Sequence, residues 1–258
     1  MPTQYDKARA FAALHQPGNP VVIYNIWDAG SAQTVEAAGA PALATGSSPV
    51  ATAMGYPDGQ IIPLASVLAI VRRIVDCVAV PLSVDFEGGY GADADSITAN
   101  TAQLIATGAI GVNFEDQIVG GVGLYSIDAQ TDRIAAVVAA GTTANVPLFV
   151  NARTDLFLKA PADQHASLLA EAIDRANAYA NAGATGFFVP GLTDTALISA
   201  LIATIKLPVN LLMSPNAAPA ATLAGLGAAR LSHGPFPWRA QMAALAAGYD
   251  VATAHQSH

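Results

Sequence analysis

Two carboxylates stand two residues apart where an apolar run ends, in the segment PLSVDFEGGYGAD at residues 81–93. Side chains alternate along a strand, so Asp85 and Glu87 share one face if this run is a strand. Polar residues with the same spacing end two later apolar runs, GVNFED at 111–116 and VPLFVNARTD at 146–155. Buried charges are tolerated when they are paired or bound to a metal. The three segments therefore indicate one charged site supplied by three strands.

These strand ends carry more acid than base. Glu115 shares a face with Asn113, and Arg153 shares a face with Asn151. If the faces converge, three acids meet one guanidinium, and a divalent cation would balance the excess negative charge. Oxygen ligands without a Cys/His cluster select Mg²⁺, or Mn²⁺ in its place, and some acids would act through the metal's waters. The alternative is that the three acids cap helices or pair with surface bases, which does not explain their grouping.

The elements that must position these residues alternate between strand and helix. Eight short runs have the length and apolar content of strands buried on both faces: 20–28, 41–45, 80–87, 111–116, 146–155, 186–192, 207–214 and 229–235. Helical patterns lie between them at 31–38, 64–78, 94–107, 127–140, 162–181, 193–205 and 219–226. The alternation predicts an α/β fold, a (β/α)8 TIM barrel forming one domain over residues 1–258. A doubly wound sheet, the rival, needs a GxGxxG turn after its first strand, and WDAGSA is not one.

Composition narrows the partners and the compartment. The formal charge of −8 argues against nucleic acid and against an anionic membrane as partners. Cys77 is the only cysteine, so we expect no disulfide within the chain and assign the thiol to a buried position. The N-terminal segment lacks the apolar core of a signal peptide. A cytoplasmic protein is the expectation.

Five ordered motifs carry a resemblance to a known family. WDAGSA, ATGSS followed by GYPDG, SVDFEGGYG, NFEDQ and NARTD together resemble the isocitrate lyase/phosphoenolpyruvate mutase superfamily, over about residues 24–239. The resemblance implies a (β/α)8 barrel, a Mg²⁺ cofactor and a 2-oxo acid substrate that passes through an enolate. It also implies a homotetramer, a dimer of dimers in which a C-terminal helix is exchanged between subunits.

The resemblance also assigns the metal site. Asp85 corresponds to the direct metal ligand. Glu87, Glu115 and Asp58, the last within YPDG, correspond to the acids that hold the waters of the metal. The alternative for Asp58 is an ordinary turn residue before a glycine.

The substrate site is assigned in the same way, with Asp85 at its metal end. Gly46 and Ser47 resemble the backbone donors that bind the oxygens of the 2-oxo acid. Arg153 resembles the clamp on the substrate carboxylate, and Trp27 the aromatic residue that lines the pocket. The alternatives are that Trp27 belongs to the core and that Arg153 only pairs with neighbouring acids.

One segment departs from the family. The loop QIVGGVGLYSID, residues 117–128, lacks the Lys and Cys of the lyase lids and the Lys and Asn of the mutase lids. This argues against an isocitrate or methylisocitrate lyase mechanism and against phosphoryl transfer. Its glycines still suit a loop that opens and closes, and Tyr125 and Ser126 are its only hydroxyls.

The remaining candidates concern proton transfer. His233 follows the eighth run, and we expect it in the barrel mouth as an acid or base, or as a contact to the distal group of the substrate. The alternative is a histidine bonded to backbone at the rim. Either His233 or Tyr125 would move protons. We assign the other histidines to the surface: His15, His165, His255 and His258.

These residues predict a Mg²⁺-dependent enzyme that cleaves a C–C bond in a small 2-oxo acid such as oxaloacetate, through an enolate. Three alternatives stay open. The first is a phosphonopyruvate hydrolase, or a carboxyphosphonoenolpyruvate or phosphoenolpyruvate mutase. The second is a reaction like that of methylisocitrate lyase, and the third is a barrel that binds 2-oxo acids without turnover.

Overall fold

Eight parallel strands form a nearly closed barrel in the computed structural model, which describes residues 2–254. Their hydrogen-bonded order is β1-β8-β7-β6-β5-β4-β3-β2. A single parallel bridge between Ile26 and Thr45 joins the two ends of this order. The strands are β1 Val21–Ile23, β2 Leu43–Ala44, β3 Leu82–Asp85, β4 Gly111–Glu115, β5 Phe149–Arg153, β6 Gly186–Phe188, β7 Val209–Leu212 and β8 Arg230–Ser232. The predicted (β/α)8 barrel is confirmed, with every strand inside a predicted run.

Helices surround the barrel and cover its ends. They are α1 Gln4–Ala13, α2 Ala29–Ala37, α3 Ser47–Ala53, α4 Leu64–Val75, α5 Ala94–Ile105, α6 Ile127–Thr143, α7 Leu156–Lys159, α8 His165–Asn181, α9 Thr195–Thr204, α10 Ala220–Gly225 and α11 Phe236–Thr253. The sequence patterns did not predict α1, α3, α7 or α11. No helix within residues 2–254 is both long enough and apolar enough to cross a membrane.

The register of the strands aligns the polar residues that the sequence analysis predicted for the site. Asp85 on β3 pairs with Asn113 on β4, which pairs with Asn151 on β5. One pleat nearer the carboxyl ends of the strands, Glu115 lies beside Arg153. The amide Nδ2 of Asn151 donates to Oδ1 of Asn113 at 2.8 Å. Parallel pairing thus places Glu115 and Arg153 in the layer directly above Asp85, Asn113 and Asn151.

The amino-terminal end of the barrel is covered by α1, and this corrects one prediction. His15, placed on the surface from sequence, is buried and stacks on the Phe149 ring with centroids 4.0 Å apart. Its Nδ1 lies 2.8 Å from the carbonyl oxygen of Phe11. Burial, with the nearby charge of Arg230, lowers the pKa of His15 to about 3. The histidine is therefore neutral at physiological pH and belongs to the core.

The structure also tests the predictions made for His165 and Cys77. His165 is buried against the Phe157 ring, because α7 and α8 pack together there, so its surface assignment is wrong. His255 and His258 lie outside the described residues. Cys77, which the sequence analysis assigned to a buried position, is only half-buried just after α4, and its thiol donates to the carbonyl oxygen of Arg73 at 3.1 Å.

The last helix, α11, contacts the barrel only near its start. Pro237 is its one buried residue. Leu245, Tyr249 and Val251 expose 68%, 70% and 71% of their surface. An 18-residue helix with this much free apolar surface has a face that nothing in residues 2–254 covers.

Candidate active site

Asp85 ends β3 with its two oxygens in different environments. Oδ2 accepts from the backbone N–H of Ser47 at 3.0 Å and from the Ser47 hydroxyl at 2.9 Å. Oδ1 is buried and has no hydrogen-bond partner within the described chain. Ser47 therefore fixes the carboxylate in one orientation and leaves one oxygen available to a ligand.

Holding Asp85 uses the donors that the sequence analysis assigned to substrate. The N–H of Ser47 is engaged by Asp85, and the N–H of Gly46 donates to the carbonyl oxygen of Ile26 at 3.1 Å. The physical reason is that this turn joins β2 to α3 and its amides complete the closure of the barrel. Gly46 and Ser47 line the inner cavity described below, and their N–H groups bond to protein in this arrangement.

Glu87 reaches the site by a different route from the one predicted. The strand ends at Asp85, and Glu87 adopts a φ of 50°, so alternation along a strand does not set its direction. Its Oε1 accepts from the N–H of Gln60 at 2.9 Å, and Tyr90 donates to Oε2 at 3.4 Å. Burial, followed by the charges of Asp85 and Asp58, raises the pKa of Glu87 to about 7.

Arg153 lies between two carboxylates. Its Nε and Nη2 donate to the two oxygens of Asp155 at 2.6 and 3.0 Å, and its Nη1 lies 3.1 Å from Glu115. Burial raises the pKa of Glu115, although Arg153 opposes that shift. The adjoining carboxylates raise the pKa of Arg153 against the effect of its own burial. Asp155 occupies two of the five guanidinium N–H groups and leaves others for a substrate carboxylate.

Two adjoining cavities open at this end of the barrel. The inner cavity, of about 290 Å³, is lined by Asp85 and Asn113 together with Ser47, Asp58 and Arg153. The last three of these also line the outer cavity, of about 300 Å³. Asp58 is solvent-exposed; partial desolvation and the charge of Asp85 raise its pKa.

The outer cavity adds Glu87 and Glu115. All four acids predicted for the metal, and Arg153, thus meet at one mouth. Within residues 2–254, however, no three Asp, Glu, His or Cys side chains are spaced to hold a metal ion by themselves. The acids do not form a closed cage.

This arrangement fits a Mg²⁺ ion that keeps most of its waters. The donors are all oxygens, Asp85 offers one buried oxygen without a partner, and the other acids surround the space beyond it. Asp85 would hold the ion directly, and Glu87, Glu115 and Asp58 would hold its waters. The pKa values of Glu87, Glu115 and Asp58 are raised, as is expected of clustered acids that have no metal cation beside them.

Three predicted site residues lie away from both cavities. Ser232 lines the inner cavity, whereas His233 lies just beyond the end of β8, with its ring centre 5.1 Å from that of Tyr24. Burial lowers the pKa of His233. Trp27 packs against Trp238 at 5.2 Å and lines a separate cavity. The structure does not bring His233 or Trp27 to the acids.

Tyr125, the third of these residues, is held by its neighbours. The guanidinium of Arg133 lies 4.0 Å from the centre of its ring. Arg133 also donates to the carbonyl oxygens of Gly88, Gly91 and Ala92, at 2.8, 3.1 and 3.0 Å. This arginine ties the glycine-rich turn after β3 to the loop after β4. Of that loop, Gln117 lines the outer cavity.

A buried network that the sequence analysis missed supports Arg153. Asp116 accepts from the N–H of Asp155 at 3.0 Å through Oδ1. Through Oδ2 it accepts from the Tyr179 hydroxyl at 2.9 Å and from Arg175 at 3.1 Å. Arg175 also donates to the carbonyl oxygen of Tyr125 at 3.0 Å. The only signal in the sequence was that Asp116 directly follows Glu115. Because neighbouring side chains point to opposite faces, Asp116 is expected to point away from the barrel interior.

Asn25 and Arg239 were also missed. Oδ1 of Asn25 accepts from the N–H of Gly234 at 2.7 Å, and its Nδ2 donates to the carbonyl oxygen of Thr45 at 2.9 Å. This side chain therefore joins β1, β2 and β8 where the barrel closes. Both residues line the inner cavity. The position of Asn25 just beyond β1 was a usable signal, whereas Arg239 lies in the C-terminal helix α11, which the family resemblance implied without giving its bounds.

The fold and the site together define the class of protein. It is a (β/α)8 barrel with an acid cluster and an arginine at the carboxyl ends of its strands. The phosphoenolpyruvate phosphomutase family model matches residues 11–251, so the chain belongs to that family and to the isocitrate lyase/phosphoenolpyruvate mutase superfamily. The resemblance inferred from the motifs is confirmed.

Two named relatives align with most of the chain. The 2-methylisocitrate lyase of Escherichia coli K12 is 30% identical over 213 residues, which cover 80% of this chain and 69% of the lyase. An oxaloacetate decarboxylase of Paraburkholderia xenovorans is 30% identical over 207 residues, which cover 76% of this chain and 65% of the decarboxylase.

Solved structures share the whole fold. A crystal structure from Burkholderia cenocepacia that carries the name phosphonomutase has a TM-score of 0.93 and 42% identity, covering 99% of this chain and 100% of the other. Phosphonopyruvate hydrolase with oxalate and Mg²⁺ has a TM-score of 0.83 and 24% identity, covering 97% of this chain and 87% of the other.

Proposed function

We propose that this protein is a Mg²⁺-dependent enzyme that cleaves a C–C bond in a small 2-oxo acid resembling oxaloacetate. The observation that carries the proposal is Asp85, fixed through one oxygen by Ser47 and left with a free buried oxygen. Arg153 lines the same cavity. Relatives named as a lyase and a decarboxylase support C–C cleavage, and Mg²⁺ with oxalate in phosphonopyruvate hydrolase supports the metal and the ligand class.

The residues divide the work between charge and orientation. Mg²⁺, when bound, would supply a Lewis acid that stabilises negative charge developing on the substrate oxygens. The free N–H groups of Arg153 would bind the substrate carboxylate, in an orientation set by Asp155 and Glu115. Asn113 and Asn151 lie in register with Asp85 and add neutral amide groups beside it.

Turnover of oxaloacetate with and without EDTA tests this proposal. We expect turnover in Mg²⁺, its loss in EDTA and its recovery with Mn²⁺, because the donors are hard oxygens that accept either ion. Turnover that persists in EDTA would contradict the metal assignment. Tight oxalate binding without turnover of any 2-oxo acid would contradict the enzymatic role and favour a binding protein.

Cleavage of a P–C bond is the second candidate. The 42% identity to the structure named phosphonomutase favours it. The same metal site would serve both reactions. When a phosphonate or a carboxylate leaves the same substrate carbon, the electron pair of the broken bond stays on the substrate, where its oxygens would stabilise the negative charge. Phosphate release from phosphonopyruvate, measured beside oxaloacetate turnover, separates the two reactions.

We also propose that α11 docks on a second copy of the chain within a homotetramer. The exposed Leu245, Tyr249 and Val251 and the family resemblance support this assembly. Light scattering should give about four times the chain mass of 26.2 kDa. A Leu245→Glu, Tyr249→Ser double variant should shift that mass to smaller species, whereas Tyr5→Ser, at an exposed aromatic on α1, should not. A monomeric wild-type protein would refute this assembly.

A further inference from the structure

One proton of the proposed reaction has no assigned donor. Cleavage of the C–C bond leaves an electron pair on the carbon of an enolate, and this carbon takes a proton when the product becomes a 2-oxo acid. His233 and Tyr125, which the sequence analysis assigned to proton transfer, line neither cavity. A side chain that donates this proton has to reach the inner cavity, where Asp85 and Arg153 meet.

Ser232 reaches the inner cavity from the side opposite the charged strands. It ends β8, and β4 lies four strands away in either direction around the barrel. Asp85 on β3 and Arg153 on β5 lie on the two strands that flank β4. A 2-oxo acid held between them would therefore turn its other side toward Ser232.

The hydroxyl of Ser232 is bound by a cation and by a neutral amide. Its oxygen accepts from Nε of Arg230 at 2.9 Å, and its proton is donated to Oδ1 of Asn210 at 3.1 Å. A hydroxyl proton rotates freely about its C–O bond, and a neutral amide holds it only weakly. The Ser47 hydroxyl, by contrast, donates to the Asp85 carboxylate, which is a stronger acceptor. The proton of Ser232 is thus the more easily turned toward the cavity.

Arg230 is a buried cation without a counter-ion beside it. Its side chain is fully buried, and no carboxylate within residues 2–254 lies within 4 Å of it. Its Nη1 and Nη2 have no hydrogen-bond partner in the same part of the chain. Burial lowers the pKa of Arg230 to about 10, so the guanidinium is still charged at neutral pH. A cation that donates to a hydroxyl oxygen stabilises negative charge on it and makes the hydroxyl a better proton donor.

We propose that Ser232 is a catalytic residue that gives its proton to the enolate carbon, and that Arg230 is a positioning residue that stabilises the alkoxide left behind. The electron pair on the enolate carbon takes the hydroxyl proton, so a C–H bond forms as the O–H bond breaks. The negative charge moves to Oγ, beside Nε of Arg230, and a solvent proton then restores the hydroxyl. The inference rests on the proposed function, because the metal site and Arg153 define where the enolate lies.

Exchange of the methyl protons of pyruvate in D₂O, followed by NMR in Mg²⁺, tests this step. The group that protonates the enolate also removes a proton from the keto acid in the reverse direction, so exchange reports proton transfer without C–C cleavage. Ser232→Ala should lower the enzyme-catalysed exchange rate about a hundredfold. Arg230→Gln keeps an N–H donor but loses the charge, so it should lower the rate about tenfold. Ser232→Ala should bind oxalate in Mg²⁺ with the wild-type affinity.

A thiol in place of the Ser232 hydroxyl measures the effect of Arg230 without metal. In a Ser232→Cys, Cys77→Ser variant, the absorbance of the thiolate gives the pKa of the new thiol. Adding Arg230→Gln should move this titration to a pH about one unit higher, since the thiolate loses its neighbouring cation. An unchanged titration would refute the role of Arg230.

Ser83→Ala is the matched control for Ser232→Ala. Ser83 is a fully buried serine on β3, its hydroxyl has no partner within the described chain, and it lines neither cavity. This variant should exchange pyruvate protons and bind oxalate as the wild type does. The inference is overturned if Ser232→Ala keeps the wild-type exchange rate, if it loses oxalate affinity to the same extent, or if the wild-type protein binds oxalate without exchanging pyruvate protons. A wild-type protein that does not bind oxalate in Mg²⁺ would instead contradict the proposed function.

Discussion

Replacing Asp85 with asparagine is expected to abolish Mg²⁺ binding and to lower turnover of a 2-oxo acid by about a hundredfold or more. The amide oxygen can still accept from Ser47, so the side chain keeps its place. The substitution removes the negative charge of the Asp85 carboxylate, whose buried Oδ1 has no hydrogen-bond partner within the described chain. Calorimetric titration with Mg²⁺ measures the first effect, and a steady-state assay measures the second.

Asp93→Asn is the control for this substitution. Asp93 caps α5 by accepting from the N–H of Ser96 at 2.8 Å, and it lies outside both cavities. Asparagine is an equally good cap, so metal binding and turnover should match the wild type. If Asp85→Asn binds Mg²⁺ with unchanged affinity while its circular dichroism is native, Asp85 is not the metal ligand.

Much of the fold was predictable because the barrel leaves a regular signature. A strand buried on both faces needs a short apolar run, and each helix between two strands needs a longer amphipathic segment. Polar residues within such runs are costly unless they serve a site, so their concentration on β3, β4 and β5 located the mouth. The pairing of Glu115 with Arg153 follows from strand order and alternation alone.

The errors arose where long-range contacts decide the outcome. Alternation predicts faces only within a strand, and β3 ends before Glu87. β8 likewise ends at Ser232, so alternation does not set the direction of His233 either. In the sequence, His15 is a polar residue at the end of a helix, which suggests exposure. Only the packing of α1 against the barrel places its ring on Phe149. The helices that the hydrophobic patterns missed are short, near the amino terminus, or begin with prolines, as does α11, which only the family resemblance implied.

Truncating Asp116 to alanine is expected to lower the free energy of unfolding by about 3–5 kcal/mol, because it leaves the buried Arg175 guanidinium without its buried partner. The other acid paired with Arg175 is Glu171, whose side chain is 44% exposed and compensates weakly. Urea unfolding with linear extrapolation measures the loss. Tyr179→Phe removes two hydrogen bonds from the same network, the one donated to Asp116 and the one accepted from Arg175, so it should lower the free energy of unfolding by about 1–2 kcal/mol.

Asp116 also acts on the site through Asp155, whose N–H it accepts and whose carboxylate holds Arg153. At a temperature where the Asp116→Ala variant stays folded, the KM for the 2-oxo acid should therefore rise, since Arg153 loses its fixed orientation. Glu171→Gln is the matched control, because it alters Arg175 on its exposed side only and should leave KM unchanged. A variant lacking Asp116 that loses stability but keeps the wild-type KM would show that the network stabilises the barrel without positioning Arg153.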